Sequence, residues 1–302
     1  MIDFTLPNDL LAVVSQEDYT HIVRLSISFL EKQWNITQVS NAVIVASQGE
    51  GKDIHFGLDN LIRNCLLYDK EAWEGVVIEH FSRFKEHSAA YNYFFKDFDY
   101  AQTMLKTLIK PDTFGLPDIQ AELIKRQDFP ETYTFLVLDF EEQLRFLRKD
   151  DLTEWGVSEE ELFEIAQDNV NKEIINTQQV PLPEEYFFHT FFHSDFAASY
   201  ILDFQRNAYH TIGMYGSVVA IPAKSVAFAY TINDLSFMKM IELLIPLVER
   251  FYDGQPGNIN THFYWYYQGE FELFPFMLKD EKHMIMRLPE RLEMLLRDDF
   301  SE

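Results

Sequence analysis

The two histidines and the one carboxylate within residues 189–195 are the first side chains that could bind a metal ion. His189 and His193 are four residues apart, and Asp195 follows them. On a helix this spacing places both rings on one face, where they could share a zinc ion. The run YFFHTFFH (186–193) instead favours a strand, on which four residues span roughly 13 Å. We therefore predict no metal site here, a conclusion that a helical segment would weaken.

A catalytic site could be assembled only from residues that are scattered along the chain. The sequence has no GxSxG motif, which marks the nucleophile turn of many serine hydrolases. Ser199 has no candidate base beside it, and Ser217 and Ser225 flank predicted strands as turn residues. Because triads are recognised by geometry rather than by spacing, a hydrolase or transferase site is kept as the alternative hypothesis. Its candidate residues are His189, Asp195, Ser199 and Lys224.

Two further segments carry polar groups for which a structural role is the favoured prediction. Gln48–Asp53 contains glycines and a lysine, as phosphate-binding loops do, but it lacks the GxxxxGK[ST] spacing. A hairpin turn is favoured there, and an anion-binding sensor at Gly49–Lys52 is a third hypothesis. Asp139, Glu141 and Glu142 follow a buried strand, where solvated turn residues are the commoner reading.

Composition and charge restrict the class of protein and of partner. The chain has 302 residues and a formal net charge of −24, which opposes binding to nucleic acid and to anionic membranes. The single cysteine, Cys65, excludes a disulfide framework within the chain and indicates a reducing compartment. With no signal peptide at the N-terminus and no apolar run of about 18 residues, we predict a cytoplasmic protein. We also predict no cofactor, and we expect Cys65 to be buried on a helical face.

Hydrophobic periodicity predicts mostly helices in the first part of the chain. Apolar spacing indicates helices at about 17–34, 58–66 and 73–84, with Ser15 or Asp18 as the cap of the first. The run NAVIVAS (41–47) and residues 53–56 predict a small β-hairpin. Residues 88–110 are rich in Phe and Tyr with helical spacing in places. Residues 111–130 contain three prolines and are predicted to be a connection.

The second part of the chain alternates strands and helices. A buried strand is predicted at 133–140, and a helix from a capping box at Ser158–Glu161 to about 175. We predict strands at 186–193, 197–202, 217–223, 225–230, 262–267 and 270–274, and helices at about 203–211 and 235–252. The tail from about 280 is predicted to be an amphipathic helix that Pro289 interrupts.

These elements predict an α+β fold. A helix-rich N-terminal half with a small β-hairpin (1–128) precedes a C-terminal half of antiparallel β-hairpins packed by helices (129–276). A helical tail (277–302) follows. Because aromatic residues make up 16% of the chain, rings are expected to dominate the core.

Several segments, in order, resemble the YtpQ-type family of uncharacterised bacterial proteins, which has a domain of unknown function. The similar segments are IHFGLDNLIRN (54–64), LTEWGVSEEELFEIAQDNV (152–170), AASYIL (197–202), GSVVAIPAKSVAF (216–228) and YWYYQGEFELFP (264–275). Pro222–Ala223–Lys224–Ser225 departs from the Pro-x-Arg-Asp pattern of that family. The resemblance implies a bacterial cytoplasmic protein and no assigned activity.

The favoured functional hypothesis is a non-catalytic protein-binding or accessory module. The aromatic blocks 91–100, 187–196 and 262–267 are expected to fill the core, and any exposed remainder would suit a protein partner. The acidic charge makes a basic protein one candidate partner. The sequence leaves the oligomeric state open.

Overall fold

The structure is a computed structural model that describes residues 2–7, 10–11, 13–47, 54–82, 97–140, 144–183, 186–280 and 283–299. The chain forms two compact units. Unit 1 consists of Met1–Ala101 and Thr113–Glu122, and unit 2 consists of Gln102–Asp112 and Leu123–Glu302. The backbone therefore changes unit after Ala101, after Asp112 and after Glu122.

Helices and antiparallel strands are both abundant, which confirms the predicted α+β class. The helices are α1 (Gln16–Leu30), α2 (Asp59–Cys65), α3 (73–82), α4 (Phe98–Met104), α5 (Pro117–Glu122), α6 (Leu152–Trp155), α7 (Glu159–Val170), α8 (Ala197–Tyr200), α9 (Phe204–Asn207), α10 (Ser236–Gly254) and α11 (Glu290–Asp299). The strands are β1 (Asn35–Ser40), β2 (Val43–Ser47), β3 (Ile54–Gly57), β4 (Leu105–Pro111), β5 (Lys125–Arg126), β6 (Thr132–Asp139), β7 (Leu144–Phe146), β8 (Asn176–Pro181), β9 (Phe187–Phe192), β10 (Ser217–Ala223), β11 (Val226–Thr231), β12 (Phe263–Tyr267), β13 (Glu270–Phe274), β14 (Phe276–Asp280) and β15 (His283–Met286).

Unit 1 packs its helices against a three-stranded antiparallel sheet with the order β1-β2-β3. The Ser15 hydroxyl caps α1 by accepting the Asp18 amide, as the sequence predicted. Tyr19 is fully buried, and its hydroxyl accepts the Ala42 amide at 3.2 Å, which ties the helix to the sheet. Cys65 is buried as predicted, and burial raises the pKa of its thiol to about 11.

Unit 2 contains a four-stranded sheet. Strand β6 lies between β4 and β5, and β7 also pairs with β6. Helix α7 packs on β4. Its cap is Ser158, whose hydroxyl accepts the Glu161 amide at 3.2 Å, so the predicted N-terminus of this helix is confirmed.

A six-stranded antiparallel sheet with the order β13-β12-β10-β11-β9-β8 forms the larger part of unit 2. Helices α10 and α11 contribute to the core on one face, and the segment 198–212 covers the other face. Trp265 and Tyr264 on β12 point to opposite faces, and both are fully buried. The Trp265 indole donates to the Tyr215 carbonyl at 2.6 Å, so the polar atom of this buried ring has a partner.

Several predicted elements differ from the structure. Residues 197–202 form α8 and a 3-10 turn rather than a strand, because the Tyr200 amide closes a helical turn onto the Phe196 carbonyl. The tail contains the β14–β15 hairpin before α11, and α11 begins only after Pro289. Residues 105–111 form β4, and the predicted connection 111–130 contains α5 and β5. Strands β1 and β8 were not predicted.

Some predictions fall outside the described residues. These are the turn at 48–53, with the hypothetical anion site Gly49–Lys52, the acids Glu141 and Glu142, and residues 91–96 of the first aromatic block. Among the helices that are described, none has the length and apolar character needed to cross a bilayer.

Candidate functional site

A cleft of about 440 Å³ in unit 2 opens beside the turn that joins β10 to β11. Three segments line it, namely the end of β9, the β10–β11 turn and the end of α10. Its lining residues are Phe192, His193, Ser194, Lys224, Ser225, Phe251, Gln255 and Pro256. The Phe192 and Phe251 ring centroids are 5.8 Å apart and form an aromatic wall. Lys224, one of the residues predicted from the sequence, is part of this lining.

One of the four candidate residues, Lys224, lines this cleft, and it pairs with a second, Asp195. The Lys224 ammonium forms an ion pair with the Asp195 carboxylate, and only 11% of the Lys224 side chain is exposed. The Lys224 amide donates to the Gly257 carbonyl at 2.9 Å. A Cβ on Gly257 would lie 2.8 Å from the Lys224 side chain and would clash with it. Glycine at this position therefore allows the methylene groups of the lysine to pack against the backbone. Lys224 is therefore fixed in the cleft wall rather than free to reach a substrate.

Asp195 is ionised because the ion pair outweighs its burial. Burial alone would raise the pKa of this carboxyl. The charge and hydrogen bond of Lys224, with smaller contributions from Ser194 and His193, overcome that effect and hold the pKa below its ordinary value. The ionised carboxylate therefore contributes to folding stability.

Because the pKa of Asp195 is lowered, its carboxylate should make a pH-dependent contribution to the free energy of unfolding. The variant Asp195→Asn should remove that contribution. The stabilisation is fully present above the unfolded-state pKa of about 3.9 and is lost as the pH falls through the lower folded-state pKa. Above about pH 5, we expect the free energy of unfolding of wild type to be higher than that of Asp195→Asn by a constant amount. This difference should vanish in acid. Urea titrations of both proteins between pH 2 and pH 8 measure it. A difference that stays constant down to pH 2 would contradict the assignment.

His193 organises the turn that carries Asp195. Its Nδ1 atom accepts two backbone amides, from Asp195 at 3.0 Å and from Phe196 at 3.1 Å. Since Nδ1 accepts twice, the ring proton is on Nε2, which lies 3.3 Å from the Glu173 carboxylate. No nitrogen lone pair of His193 is left to take a proton from a substrate. The residue positions the turn and cannot act as a general base in this arrangement.

Glu173 extends the network to a second lysine. Its carboxylate pairs with Lys106 on β4, and the Lys106 ammonium also donates to the Asn169 carbonyl at 3.2 Å. We call Lys106, Glu173, His193, Asp195 and Lys224 the ion-pair cluster. Its two lysines and two carboxylates cancel in charge. Because each charged group has a partner, the cluster is suited to joining β4, the end of α7 and the two turns.

The other two candidate residues lie away from this pair. Ser199 is 1% exposed on α8, and its hydroxyl has no hydrogen-bond partner among the described residues. A hydroxyl so enclosed cannot meet a substrate. His189 lies on β9, as predicted, and its ring centroid is 4.9 Å from that of His210. In the part of the chain that the structure describes, no three His, Cys, Asp or Glu side chains form a group that could hold a metal ion.

Ser225 is the remaining polar group of the cleft wall. Its carbonyl accepts the His193 amide at 3.1 Å, and its hydroxyl oxygen, shielded from solvent, has no hydrogen-bond partner among the described residues. With Lys224 paired and His193 engaged, the described residues that line the cleft include no free base to activate this hydroxyl. The geometry supports a structural cluster beside an apolar cleft more strongly than a hydrolytic site.

A second surface feature lies on the outer part of the six-stranded sheet. We call Phe187, His189, Tyr209 and His210 the aromatic patch. Phe187 is 45% exposed and Tyr209 is 70% exposed, and the rings of the patch contact each other in edge-on pairs. Burial, followed by the nearby His210, holds the pKa of His189 below its ordinary value. Phe187 and His189 of the patch belong to the second aromatic block, the other rings of which are largely buried.

Sequence reasoning missed the groups that complete both features. Lys106 and Glu173 are 67 positions apart, so no local spacing indicates that they pair. His210 contacts His189, and Tyr209 contacts His210, because the 3-10 turn at Tyr209–Thr211 lies beside β9. A lysine within an apolar run such as Leu105–Ile109 was the one available signal, because a buried lysine requires a partner.

Comparisons with protein-family models, with curated proteins and with solved structures each found no match to this chain. The resemblance to the YtpQ-type family accordingly stays a prediction.

Proposed function

We propose that this chain is a non-catalytic protein-binding module that contacts its partner through the aromatic patch. The observation that carries the proposal is the exposure of Phe187 and Tyr209 at the outer part of a sheet whose other rings are mostly buried. Leaving such rings in water forgoes the free energy of burying them, on the order of 25 cal/mol per Å². Aromatic side chains are enriched at the energetic centres of protein interfaces.

The charge of the chain supports a basic partner. A net charge of −24 creates a field that attracts cationic proteins and raises their association rates. Exposed rings also accept lysine or arginine through cation–π contacts, which are worth about 0.5–1 kcal/mol at exposed sites. The same charge opposes nucleic acid as the ligand.

Capture from native lysate tests the patch against a matched control. The baits are wild type, the double variant Phe187→Ser/Tyr209→Ser, and Met294→Ser, which removes an exposed apolar side chain on α11. We expect wild type and the control to recover the same partner. The patch variant should recover it about thirtyfold less well, the effect of one interface hot spot of about 2 kcal/mol. Capture should weaken in high salt if the partner is basic.

Two outcomes would contradict the proposal. One is that wild type recovers no protein partner in either low or high salt. The other is that all three baits recover the partner equally, which would place the contact elsewhere.

A hydrolase or transferase site at the cleft is the second candidate function. The observation in its favour is that Lys224, which lines the cleft together with Ser225, pairs with a second predicted residue, Asp195. The paired state of Lys224 and the engaged state of His193 weigh against it.

A further inference from the structure

The outermost strand of the six-stranded sheet, β8, has an open side. Among the described residues its sole strand partner is β9, with which it pairs antiparallel from Asn176↔Phe192 to Pro181↔Phe187 without a register shift. Five of its six residues are exposed. Edge strands present backbone amide and carbonyl groups that can pair with another extended chain.

Strand β8 also lacks the features by which proteins usually protect such an edge. Its sequence is NTQQVP, which contains no charged residue although a quarter of the whole chain is charged. Inward charges, bulges and internal prolines normally discourage edge pairing. Pro181 lies only at the end of the strand. The first five positions therefore form a regular, neutral template for a seventh strand.

The register connects this edge to the aromatic patch. Gln179 lies opposite His189, and Pro181 lies opposite Phe187. Directly opposite residues share a face of the sheet, so Gln179 and Pro181 lie on the face of the patch. The alternate residue Val180 lies opposite Phe188 and packs on the core that contains α10. A strand added beside β8, about 4.8 Å further out, would direct every second side chain to the patch face.

We propose that β8 binds an extended basic segment of a partner protein as the seventh strand of this sheet. The inference rests on the proposed protein-binding function and specifies the partner's chemistry. Backbone pairing to β8 would provide the affinity, as in other cases of strand addition. Lysine or arginine side chains at alternate positions would extend over Gln179 and Pro181 towards the Phe187 ring.

A basic segment fits this edge better than a second copy of the chain. Self-association would bring together two molecules that each carry a net charge of −24, and that repulsion opposes a dimer. A cationic segment instead reduces the net charge of the complex. The neutral edge itself offers no repulsion to lysine or arginine.

Two synthetic peptides of equal charge test the requirement for backbone pairing. The first is acetyl-(Lys-Val)4-amide, and the second is acetyl-(Lys-Pro)4-amide, in which proline removes half of the backbone donors. We expect the valine peptide to bind the full chain at least about tenfold more tightly by fluorescence anisotropy. It should also slow hydrogen exchange of backbone amides within 176–181. Equal affinities, or protection confined to other segments, would overturn strand addition.

Charge substitutions at the edge provide the second test. Thr177 and Gln179 are exposed on the same face of β8, so Thr177→Lys/Gln179→Lys and Thr177→Glu/Gln179→Glu are matched in position. We expect the lysine variant to bind acetyl-(Lys-Val)4-amide about fivefold more weakly than wild type, and the glutamate variant at least as tightly as wild type. Equal weakening by both variants would argue against a basic segment at this edge. Far-UV circular dichroism and melting confirm that each variant is folded.

Failure of this inference can be told apart from failure of the proposed function. If lysate capture depends on Phe187 and Tyr209 while the two peptides bind alike, the patch binds protein but β8 does not add a strand. Sedimentation of wild type at several concentrations tests the remaining alternative, in which β8 pairs with a second copy of the chain. A dimer that the lysine variant of β8 abolishes would assign the edge to a second copy and overturn the inference.

Discussion

Replacing Gly216 with alanine is expected to prevent unit 2 from folding stably. Gly216 has φ = +86° immediately before β10, in a region that other residues rarely adopt. A Cβ there would lie 2.0 Å from the Tyr266 carbonyl oxygen and 3.0 Å from the Trp265 indole nitrogen. Strand β10 is held between β12 and β11, so its backbone cannot move away. We expect a loss of more than about 3 kcal/mol of unfolding free energy.

The matched control for this prediction is Gly254→Ala at the end of α10. No atom lies within 4 Å of a Cβ at that position, and its φ is not positive. The control should be unchanged or more stable by up to about 1 kcal/mol, because alanine favours helix. Urea denaturation followed by circular dichroism measures both variants. Equal midpoints for the two would show that the close approach at Gly216 does not limit the fold.

The second large effect is expected for Lys224→Met. This change removes the partner of Asp195 and leaves a partly buried carboxylate without its counter-charge. Breaking a buried pair on one side costs about 3–5 kcal/mol, and the partial exposure of Asp195 reduces our expectation to about 2 kcal/mol. Loss of the pair should also loosen the 193–196 turn, since Asp195 joins it to the β10–β11 turn.

A double-mutant cycle separates the pair from simple loss of packing. Lys224→Met/Asp195→Asn removes both charges and should recover at least half of the stability that the single lysine variant loses. The measurement is the free energy of unfolding of wild type, both single variants and the double variant at pH 7. A double variant that loses the sum of the two single effects would mean that the two side chains are not coupled. In that case a structural role for the ion-pair cluster would be wrong.

The elements that were predictable from sequence are those in which apolar residues repeat with the period of a single buried face. Helix α10 repeats its apolar residues at helical spacing, and the β12–β13 hairpin has Gln268–Gly269 at positive φ in its turn. Strand β8 gives no such signal because it is exposed on an edge and made of polar residues. In residues 197–202, Ala197, Ala198, Ser199 and Ile201 are buried almost in succession, and such continuous burial removes the period that distinguishes helix from strand.

The candidate site was predictable only in its turns. Lys224 and Asp195 were among the residues predicted from the sequence, and the structure brings them together because each adjoins the end of a strand and the two strands, β9 and β11, are neighbours. Ser199 was misjudged because an assignment to a strand left its depth in the core unknown. Lys106 and Glu173 could not be identified, since their pairing depends on how the four-stranded sheet packs on α7. Contacts set by tertiary packing leave little trace in local sequence.

The enclosed thiol of Cys65 gives the molecule a reporter of its own motions. A thiol with a pKa of about 11 and no solvent access reacts with disulfide reagents only while the surrounding structure is open. Since the sequence has one cysteine, the rate of modification counts the openings of unit 1 alone. The rate of thiol labelling of the unaltered protein therefore measures how often unit 1 opens locally, and no probe has to be introduced.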